Sequence, residues 1–237
     1  MVDKLENSKI MSKNKYVENI YNPKDKPFTK YPEQLIRYLV KRYKLSEKSK
    51  VLEIGCGRGE FINEFINLNM DGYGIDESNI AKTNFPNILF SQVNLIKNKI
   101  PYDDNIFDVI YSKSVIEHFY YPEKILTEAY RVLKPGGIII TLTPDWEYIF
   151  KSFYEDFTHR TPFTSMSLKD IHLVCGFKNI KVEKFKQLPI LWNKSIINRL
   201  FLLLSYLTRV MTPEKWRMKT KWIRFSKEIM LLSSATK

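Results

Sequence analysis

Residues 51–61 read VLEIGCGRGEF. An apolar stretch ends in three glycines at alternate positions, Gly55, Gly57 and Gly59, with Glu53 just before them and Glu60 just after. KVLEI (50–54) has the make-up of a short buried strand, and EFINEFINLNM (60–70) continues as a helix. In an open α/β sheet the first strand-turn-helix is the usual ligand site, because strand carboxyl ends face a crevice. Glycine-rich turns in that place often hold phosphates, and this one is bracketed by negative charge.

The carboxylates decide between ligands. A dinucleotide needs its pyrophosphate against the helix N-terminus and glycines at the spacing G-x-G-x-x-G. Counting from Gly55, the position of the last glycine is Glu60. A carboxylate in the first helical turn takes up the positive end of the helix dipole itself, and Glu53 adds a second negative charge. Both repel a diphosphate. S-adenosylmethionine carries a sulfonium, an ammonium and a ribose diol and no phosphate, so it suits this lining. The glycines let the backbone approach it closely, and Asp76, at the end of the next strand, is placed to accept both ribose hydroxyls.

The rest of the chain repeats the alternation. YPEQLIRYLVKRYKL (31–45) reads as an amphipathic helix, DGYGID (71–76) as a second strand, residues 78–84 as a short helix, NILFSQVN (87–94) as a third strand and FDVIYS (107–112) as a fourth. PEKILTEAYRVLKPGG reads as a helix ended by Pro135 and the Gly136–Gly137 pair, a structural turn, and IIITLTP (138–144) as a fifth strand. SLKDIHLVCGF reads as a helix opened by a Ser167–Asp170 capping box and stopped by Gly176. KNIKVEKF (178–185) and EIMLLSSAT (228–236) read as the last two strands. Strands alternating with helices at this spacing predict an α/β fold with a doubly wound, Rossmann-like sheet of seven strands. The expected organisation is a flexible segment at 1–30, a core with its N-terminal helix at 31–187, a basic amphipathic helical insertion at 188–227, and the final core strand at 228–237.

VLEIGCGRGEF, YGID, FDVIYSKSVIEHF and EAYRVLKPGGIIITLTP, in this order and at this spacing, resemble the successive motifs of class I S-adenosylmethionine-dependent methyltransferases. The signatures E-x-G-C-G-x-G, E-H and L-K-P-G-G are closest to the small-molecule branch. The resemblance covers roughly residues 50–185 and the terminal strand. It implies S-adenosylmethionine as cofactor, with Glu53, Gly55, Gly57 and Gly59 around its methionine and ribose, Asp76 on the ribose and Asn94 and Leu95 against the adenine. Ser112 and Lys113 would line the methionine end. Where the family often has Asp, Asn94 would bond the adenine amino group without charge assistance.

Methyl transfer is an in-line displacement at an activated carbon, so the protein supplies alignment, desolvation and, for a hydroxyl acceptor, a base. The chain has three histidines. His118 follows Glu117; in some quinone-type relatives this pair joins an earlier Glu in a metal site, but that position is Ser114, and no metal is expected. His159 lies in YEDFTHRTPFT (154–164), directly after the fifth strand, and Asp156 is expected to hold one ring nitrogen and leave the other as catalytic base. The D-x-T-H-x-x-P-F string resembles methyltransferases of bacterial cell-surface glycan biosynthesis, which often O-methylate sugars. His172 reads as a surface or packing residue.

Charge is uneven. Residues 1–50 carry 13 Lys and Arg against 6 Asp and Glu, residues 51–187 carry 15 against 18, and residues 188–227 carry 9 against 1. In the last of these, Leu200 to Thr208 is uncharged, far short of the ~20 apolar residues a membrane span requires. Followed by KWRMKTKWIRF, it matches an interfacial helix resting on anionic lipid, and equally a packed hairpin or a homodimer contact. A membrane reading points to a lipid-linked saccharide-type acceptor, a membrane-free one to a small molecule. Two cysteines without a framework fit a cytoplasmic protein, free or peripheral on the inner face of the membrane, and the polar N-terminus lacks the apolar region of a secretory signal.

Three competing readings remain. The basic ends favour a nucleic-acid (RNA) methyltransferase, but SKSV stands where an N-P-P-Y-type motif would, so nucleic acid is not expected as a partner. The second is a non-catalytic protein keeping the fold as a scaffold, which the intact glycines and Asp76 oppose. The third is a nicotinamide oxidoreductase, opposed by Glu60.

Overall fold

The computed structural model of this 237-residue chain describes residues 26–192 and 196–237. Most of the expected flexible segment, residues 1–25, therefore lies outside the described residues. Seven strands form one sheet in the order β3-β2-β1-β4-β5-β7-β6. They are β1 (Lys50–Ile54), β2 (Asp71–Asp76), β3 (Leu89–Gln92), β4 (Phe107–Lys113), β5 (Leu133–Pro144), β6 (Lys178–Lys186) and β7 (Ile229–Thr236). The first three pair in parallel, and β7 runs antiparallel to both of its neighbours, β5 and β6. This is the α/β, Rossmann-like sheet read from the sequence. The chain divides into two compact units, Met1–Tyr111 with Val132–Lys134, and Ser112–Arg131 with Pro135–Lys237.

In the first unit, β1 buries Val51, Leu52 and Ile54, an apolar run covered on both faces. It pairs with β2 in a register that sets Ile54 against Ile75 and so brings the ends of both strands level. Helix α1 (Tyr31–Tyr43) starts with Pro32 in its first turn, buries Leu35, Ile36 and Leu39, and ends at Lys44 in a left-handed conformation whose N–H bonds the Val40 carbonyl. Helix α2 (Glu60–Asn67) buries Ile62 and Phe65. It lies so close to β2 that a Cβ on Gly72 would come within 2.5 Å of the Ile66 side chain. Helix α3 (Ile80–Asn84) and β3 complete this half.

Helix α4 (Pro122–Val132), in the second unit up to Arg131, is shorter than its sequence reads. LKPGG, taken as a helix terminator, already belongs to β5, which begins at Leu133. A one-turn helix, α5 (Trp146–Ile149), follows β5, with Asp145 accepting from the Glu147 N–H at its start. Helix α6 (Ser165–Val174) begins two residues before the expected start. Its capping box is Thr164 with Ser167, not Ser167 with Asp170. Thr164 Oγ1 accepts from the Ser167 N–H at 3.2 Å, and Ser167 Oγ accepts from the Thr164 N–H at 2.9 Å. The hydroxyl of Ser167 fills the place usually held by Glu or Gln. Ile116, Phe163, Leu168 and Leu231 form a buried cluster beneath it.

Between β6 and β7 the described chain forms a single turn at Pro189–Leu191, helix α7 (Ile196–Met211), a turn at Glu214–Trp216 and helix α8 (Lys221–Lys227). Lys186 Nζ donates to Ser205 Oγ of α7 at 3.1 Å, and Trp222 Nε1 of α8 to Thr208 Oγ1 of α7 at 2.9 Å. Leu200, Leu203, Leu204, Leu207, Val210 and Met211, at the helical spacing of one face, are all exposed. Several of the segment's cations are spent on ion pairs: Arg217 with Glu155, Glu214 and Glu228, Arg224 with Glu228, and Lys227 with Glu214. Among the described residues, no helix is long and apolar enough to cross a membrane.

Candidate functional site

Two groups of polar side chains stand out, one in each unit. The first surrounds the glycine turn. The Gly55 and Cys56 N–H groups both bond the Ile75 carbonyl, at 2.8 and 3.1 Å, which folds the turn back over the end of β2. The Gly57 N–H donates to Asp76 Oδ2 at 2.8 Å, and the Ser78 N–H to Asp76 Oδ1 at 2.9 Å. Asp76 is thereby fixed beside the turn, though burial raises its carboxyl above the usual range.

Gly57 and Gly59 have different reasons to be glycine. Both have positive φ, +50° and +84°. A Cβ on Gly59 would press to 2.8 Å against Ile88 and 3.1 Å against Ala81 and Phe85, so protein packing excludes a side chain there. A Cβ on Gly57 would meet nothing within 4 Å. Open space over Gly57, beside an anchored aspartate, is the room a ligand backbone needs.

The two bracketing carboxylates have exchanged the parts expected of them. Glu53, buried, accepts from the N–H of Ile62, the third residue of α2, at 2.8 Å. It thus satisfies one of the orphan donors of the helix start from the preceding strand. Glu60 is held by Arg58, whose Nε and Nη2 lie 2.9 and 2.6 Å from Glu60 Oε2. The same guanidinium donates to the Lys26 carbonyl and covers the ring of Phe28 at 4.6 Å. The anionic lining at the turn is therefore Glu53 and Asp76; Glu60 is neutralised by a neighbour the sequence places only two residues away. Beside Glu53 the Tyr111 hydroxyl is fully buried without a partner, and burial, with the Glu53 charge, pushes its pKa up.

Asn94 does not present the oxygen expected of it. Its Oδ1 accepts from the Ile96 and Lys97 N–H groups at 3.0 and 3.2 Å, so both lone pairs shape the loop instead of awaiting an adenine amino group. Leu95 beside it is half-buried. Ser112, near the end of β4, is buried with its Oγ unpartnered.

The second group joins the loop after β4 to the loop after α5. Glu117 and His118 sit in a single turn, Ile116–His118. The Arg160 and Thr161 N–H groups bond the Glu117 carbonyl at 2.8 and 3.0 Å, and Thr161 Oγ1 bonds the Phe119 carbonyl at 2.6 Å. This brings the rings of His118 and His159 to 4.8 Å between centroids. The expected Asp156–His159 pair is not formed through the ring nitrogen Nδ1, which donates to the Phe153 carbonyl at 2.6 Å. Asp156 Oδ1 instead accepts from Thr158, from its N–H at 2.9 Å and its hydroxyl at 2.6 Å. That hydroxyl stands 2.8 Å from His118 Nδ1. The carboxylate two residues before a threonine is captured locally, and through that threonine it is linked to His118. Thr158 is the residue whose part the sequence reading missed, although it stands inside the D-x-T-H string. Desolvation lowers the His118 pKa to about 4, while burial raises that of Glu117 to about 7. His172 is buried in α6, its Nδ1 donating to the Leu168 carbonyl at 2.7 Å.

Residues 52–141 match the family model of a methyltransferase domain. The Schizosaccharomyces pombe sterol 24-C-methyltransferase erg6 is 33% identical over 113 residues, covering 43% of this chain and 29% of that one. The uncharacterized protein MJ1123 of Methanocaldococcus jannaschii is 30% identical over 151 residues, 60% of this chain and 71% of that one. Among solved structures, a SAM-dependent methyltransferase from Archaeoglobus fulgidus superposes with a TM-score of 0.62 at 22% identity, over 86% of this chain and 94% of the other. Residues 52–141 belong to the methyltransferase-domain family, and the fold is that of S-adenosylmethionine-dependent methyltransferases of known structure. The chain spans about a third of the length of the first curated relatives it matches.

The cofactor of this methyltransferase family is S-adenosylmethionine, and the turn fits it. The open space over Gly57 leaves room for a ligand, the Asp76 carboxylate beside it offers acceptors for a diol, and Glu53 adds a second carboxylate near the turn that suits a cationic methionine end. Glu53, Gly55, Gly57, Gly59 and Asp76 are the residues that would hold it.

Proposed function

We propose that this methyltransferase transfers the methyl group of S-adenosylmethionine to a hydroxyl oxygen of a small or lipid-linked, saccharide-type acceptor at a membrane surface. The acceptor oxygen attacks the methyl carbon, the sulfur–carbon bond breaks, and the sulfur leaves as the neutral thioether of S-adenosylhomocysteine. The hydroxyl proton passes to a base, the role proposed for His159. The observation that carries the reading is the anchored Asp76 beside open space at Gly57, over an anionic lining that suits a cationic donor and opposes a diphosphate.

Three observations support the acceptor. His159 turns Nδ1 to the Phe153 carbonyl, which leaves Nε2 for proton transfer, and Asp156 positions His118 through Thr158. The exposed apolar stripe of α7 lies in a segment with 9 cations and 1 acidic residue, the make-up of a helix that rests in an anionic interface. The similar fission-yeast enzyme is named for a sterol, a lipid acceptor.

The test is incubation of the full chain with methyl-labelled S-adenosylmethionine and bacterial envelope extract. Label is expected in the glycolipid fraction, and loss of that label with His159→Ala while S-adenosylmethionine binding persists. Label in RNA would move the acceptor class to nucleic acid. Absence of S-adenosylmethionine binding by calorimetry would remove the enzymatic reading altogether.

A further inference from the structure

Glu117, His118 and His159 bring three electron-pair donors together. A carboxylate oxygen of Glu117 and one ring nitrogen from each histidine lie within 4.8 Å of one another. The tautomers follow from the partners. The Thr158 hydroxyl gives its hydrogen to Asp156, so its oxygen accepts from His118 Nδ1–H. The Phe153 carbonyl can only accept, so His159 Nδ1 also carries a hydrogen. With Nδ1 of each ring carrying its hydrogen, Nε2 is the nitrogen that can offer a lone pair. Glu117 is 0% exposed; Oε2 accepts from Thr143 Oγ1 at 3.1 Å, and Oε1 has no hydrogen-bond partner. A buried carboxylate oxygen with no donor is costly, and beside two histidine nitrogens its missing partner is a proton or a metal cation, which the three-donor cluster has the groups to hold.

We propose that Glu117, His118 and His159 bind one divalent transition-metal ion of the zinc class, in a two-histidine, one-carboxylate site with a coordination position left open. Imidazole with carboxylate suits zinc and its first-row neighbours, whereas magnesium and calcium take oxygen donors. Each ligand has its own supporting bond, Thr143 on Glu117, Thr158 on His118 and the Phe153 carbonyl on His159, which is how protein metal sites orient their ligands. Ligands at about 2.1 Å from a tetrahedral ion are about 3.4 Å apart, so the side chains close by rotation on binding. The position that quinone-type relatives fill with an earlier Glu is Ser114 here, and His159 from the loop after α5 takes its place. The ion's role rests on the methyl-transfer reading and takes the place of His159 as base: with His159 Nε2 on the metal, an acceptor hydroxyl at the open position would lose its proton to solvent more readily, as metal-bound water does. The binding itself does not rest on that reading.

The full chain, stripped with chelator, is titrated with zinc by calorimetry, with S-adenosylmethionine binding measured separately. One equivalent of zinc is expected, with proton release increasing toward low pH and no competition from magnesium. Glu117→Gln and His159→Gln are each expected to weaken binding at least 100-fold. Cobalt(II) added to the unaltered chain is expected to develop visible absorption typical of four or five nitrogen and oxygen ligands, a readout independent of variant folding. Zinc uptake at several weak sites only, uptake unchanged in both variants, or cobalt spectra of the hydrated ion would each overturn the site. Zinc binding without S-adenosylmethionine binding would keep the site and remove the methyl-transfer role.

Discussion

The glycine turn and the Glu117–His118–His159 cluster treat buried charge in opposite ways. At the turn, each carboxylate is answered by the protein: Asp76 by the Gly57 and Ser78 N–H groups, Glu53 by the N–H of Ile62, Glu60 by Arg58. Space, not an unmet polar group, is what Gly57 leaves for a ligand. In the cluster Thr143, Thr158 and the Phe153 carbonyl each hold one atom of Glu117, His118 and His159, and the second carboxylate oxygen of Glu117 has no hydrogen-bond partner. One site is preorganised by satisfaction and the other by deprivation. A ligand at the first displaces little; a cation at the second removes a penalty already present in the fold.

The contrast breaks first at the glycines. Gly59→Ala places a Cβ in a left-handed backbone and against Ile88, which costs about 2–4 kcal/mol from the two effects together. Gly57→Ala meets only the backbone penalty, about 1–2 kcal/mol, but fills the open space. Denaturant unfolding and S-adenosylmethionine calorimetry on both variants should show Gly59→Ala losing stability more, and Gly57→Ala losing cofactor affinity out of proportion to its stability. Equal losses in both quantities would mean the turn has no ligand-facing glycine.

Next in size is Asp76→Ala. It removes the anchored acceptor and frees the Gly57 N–H, and loss of one or two hydrogen bonds to a charged group amounts to about 2–3 kcal/mol. Cofactor affinity is expected to fall about 100-fold while the thermal transition moves by only a few degrees. An unchanged Kd would remove Asp76 from the cradle.

The third effect concerns α7. Leu203→Glu with Leu207→Glu sets two like charges on an exposed apolar stripe, where no core is disturbed. Flotation with anionic vesicles should fall about tenfold with unchanged secondary structure, since each lost apolar anchor contributes about 1.5–3 kcal/mol when fully buried and less at an interface. Neutral and anionic vesicles behaving alike, or loss of a dimer on gel filtration instead, would replace lipid by a second copy of the chain as the occupant.

How far the sequence foretold these regions depends on how local the cause is. β1 and β2 begin and end where the reading placed them, because apolar runs bounded by glycines and polar residues fix a buried strand over five or six residues. β5 was read too short, since Pro135 and two glycines carry the local chemistry of a helix stop while the sheet extends through them. At the turn, the glycines were legible from spacing, but the pairing of Glu60 with Arg58 depended on a side-chain rotamer and the capping by Glu53 on the angle between strand and helix. The capture of Asn94 and Asp156 by adjacent N–H groups is short-range, and an Asx turn was readable at both. The meeting of His159 with Glu117 was not, because it depends on two loops stitched by backbone bonds far apart in the chain.

His172 supplies the smallest and most discriminating comparison, a buried histidine with both nitrogens answered. Nδ1 donates to the Leu168 carbonyl at 2.7 Å, and Nε2 faces Ser233 Oγ at 3.5 Å. Burial lowers its pKa below 6.5. The unfolded chain then binds more protons than the folded one below that value, so the contribution to stability is fully present above pH 6.5 and is lost as the pH falls below it. One group of this kind contributes a slope of at most about 1.4 kcal/mol per pH unit. His118, held at about 4, adds a slope of the same sign, while Glu117, raised to about 7, adds the opposite sign between 4.5 and 7. The difference between the wild type and His172→Gln isolates His172 from both: the variant's stability is expected to fall less steeply between pH 6.5 and 5 in denaturant unfolding. Zinc should leave that difference unchanged, since no metal ligand is involved. A variant with the same slope as the wild type would show that His172 titrates freely, and that burial with both nitrogens answered does not keep an imidazole neutral in this unit.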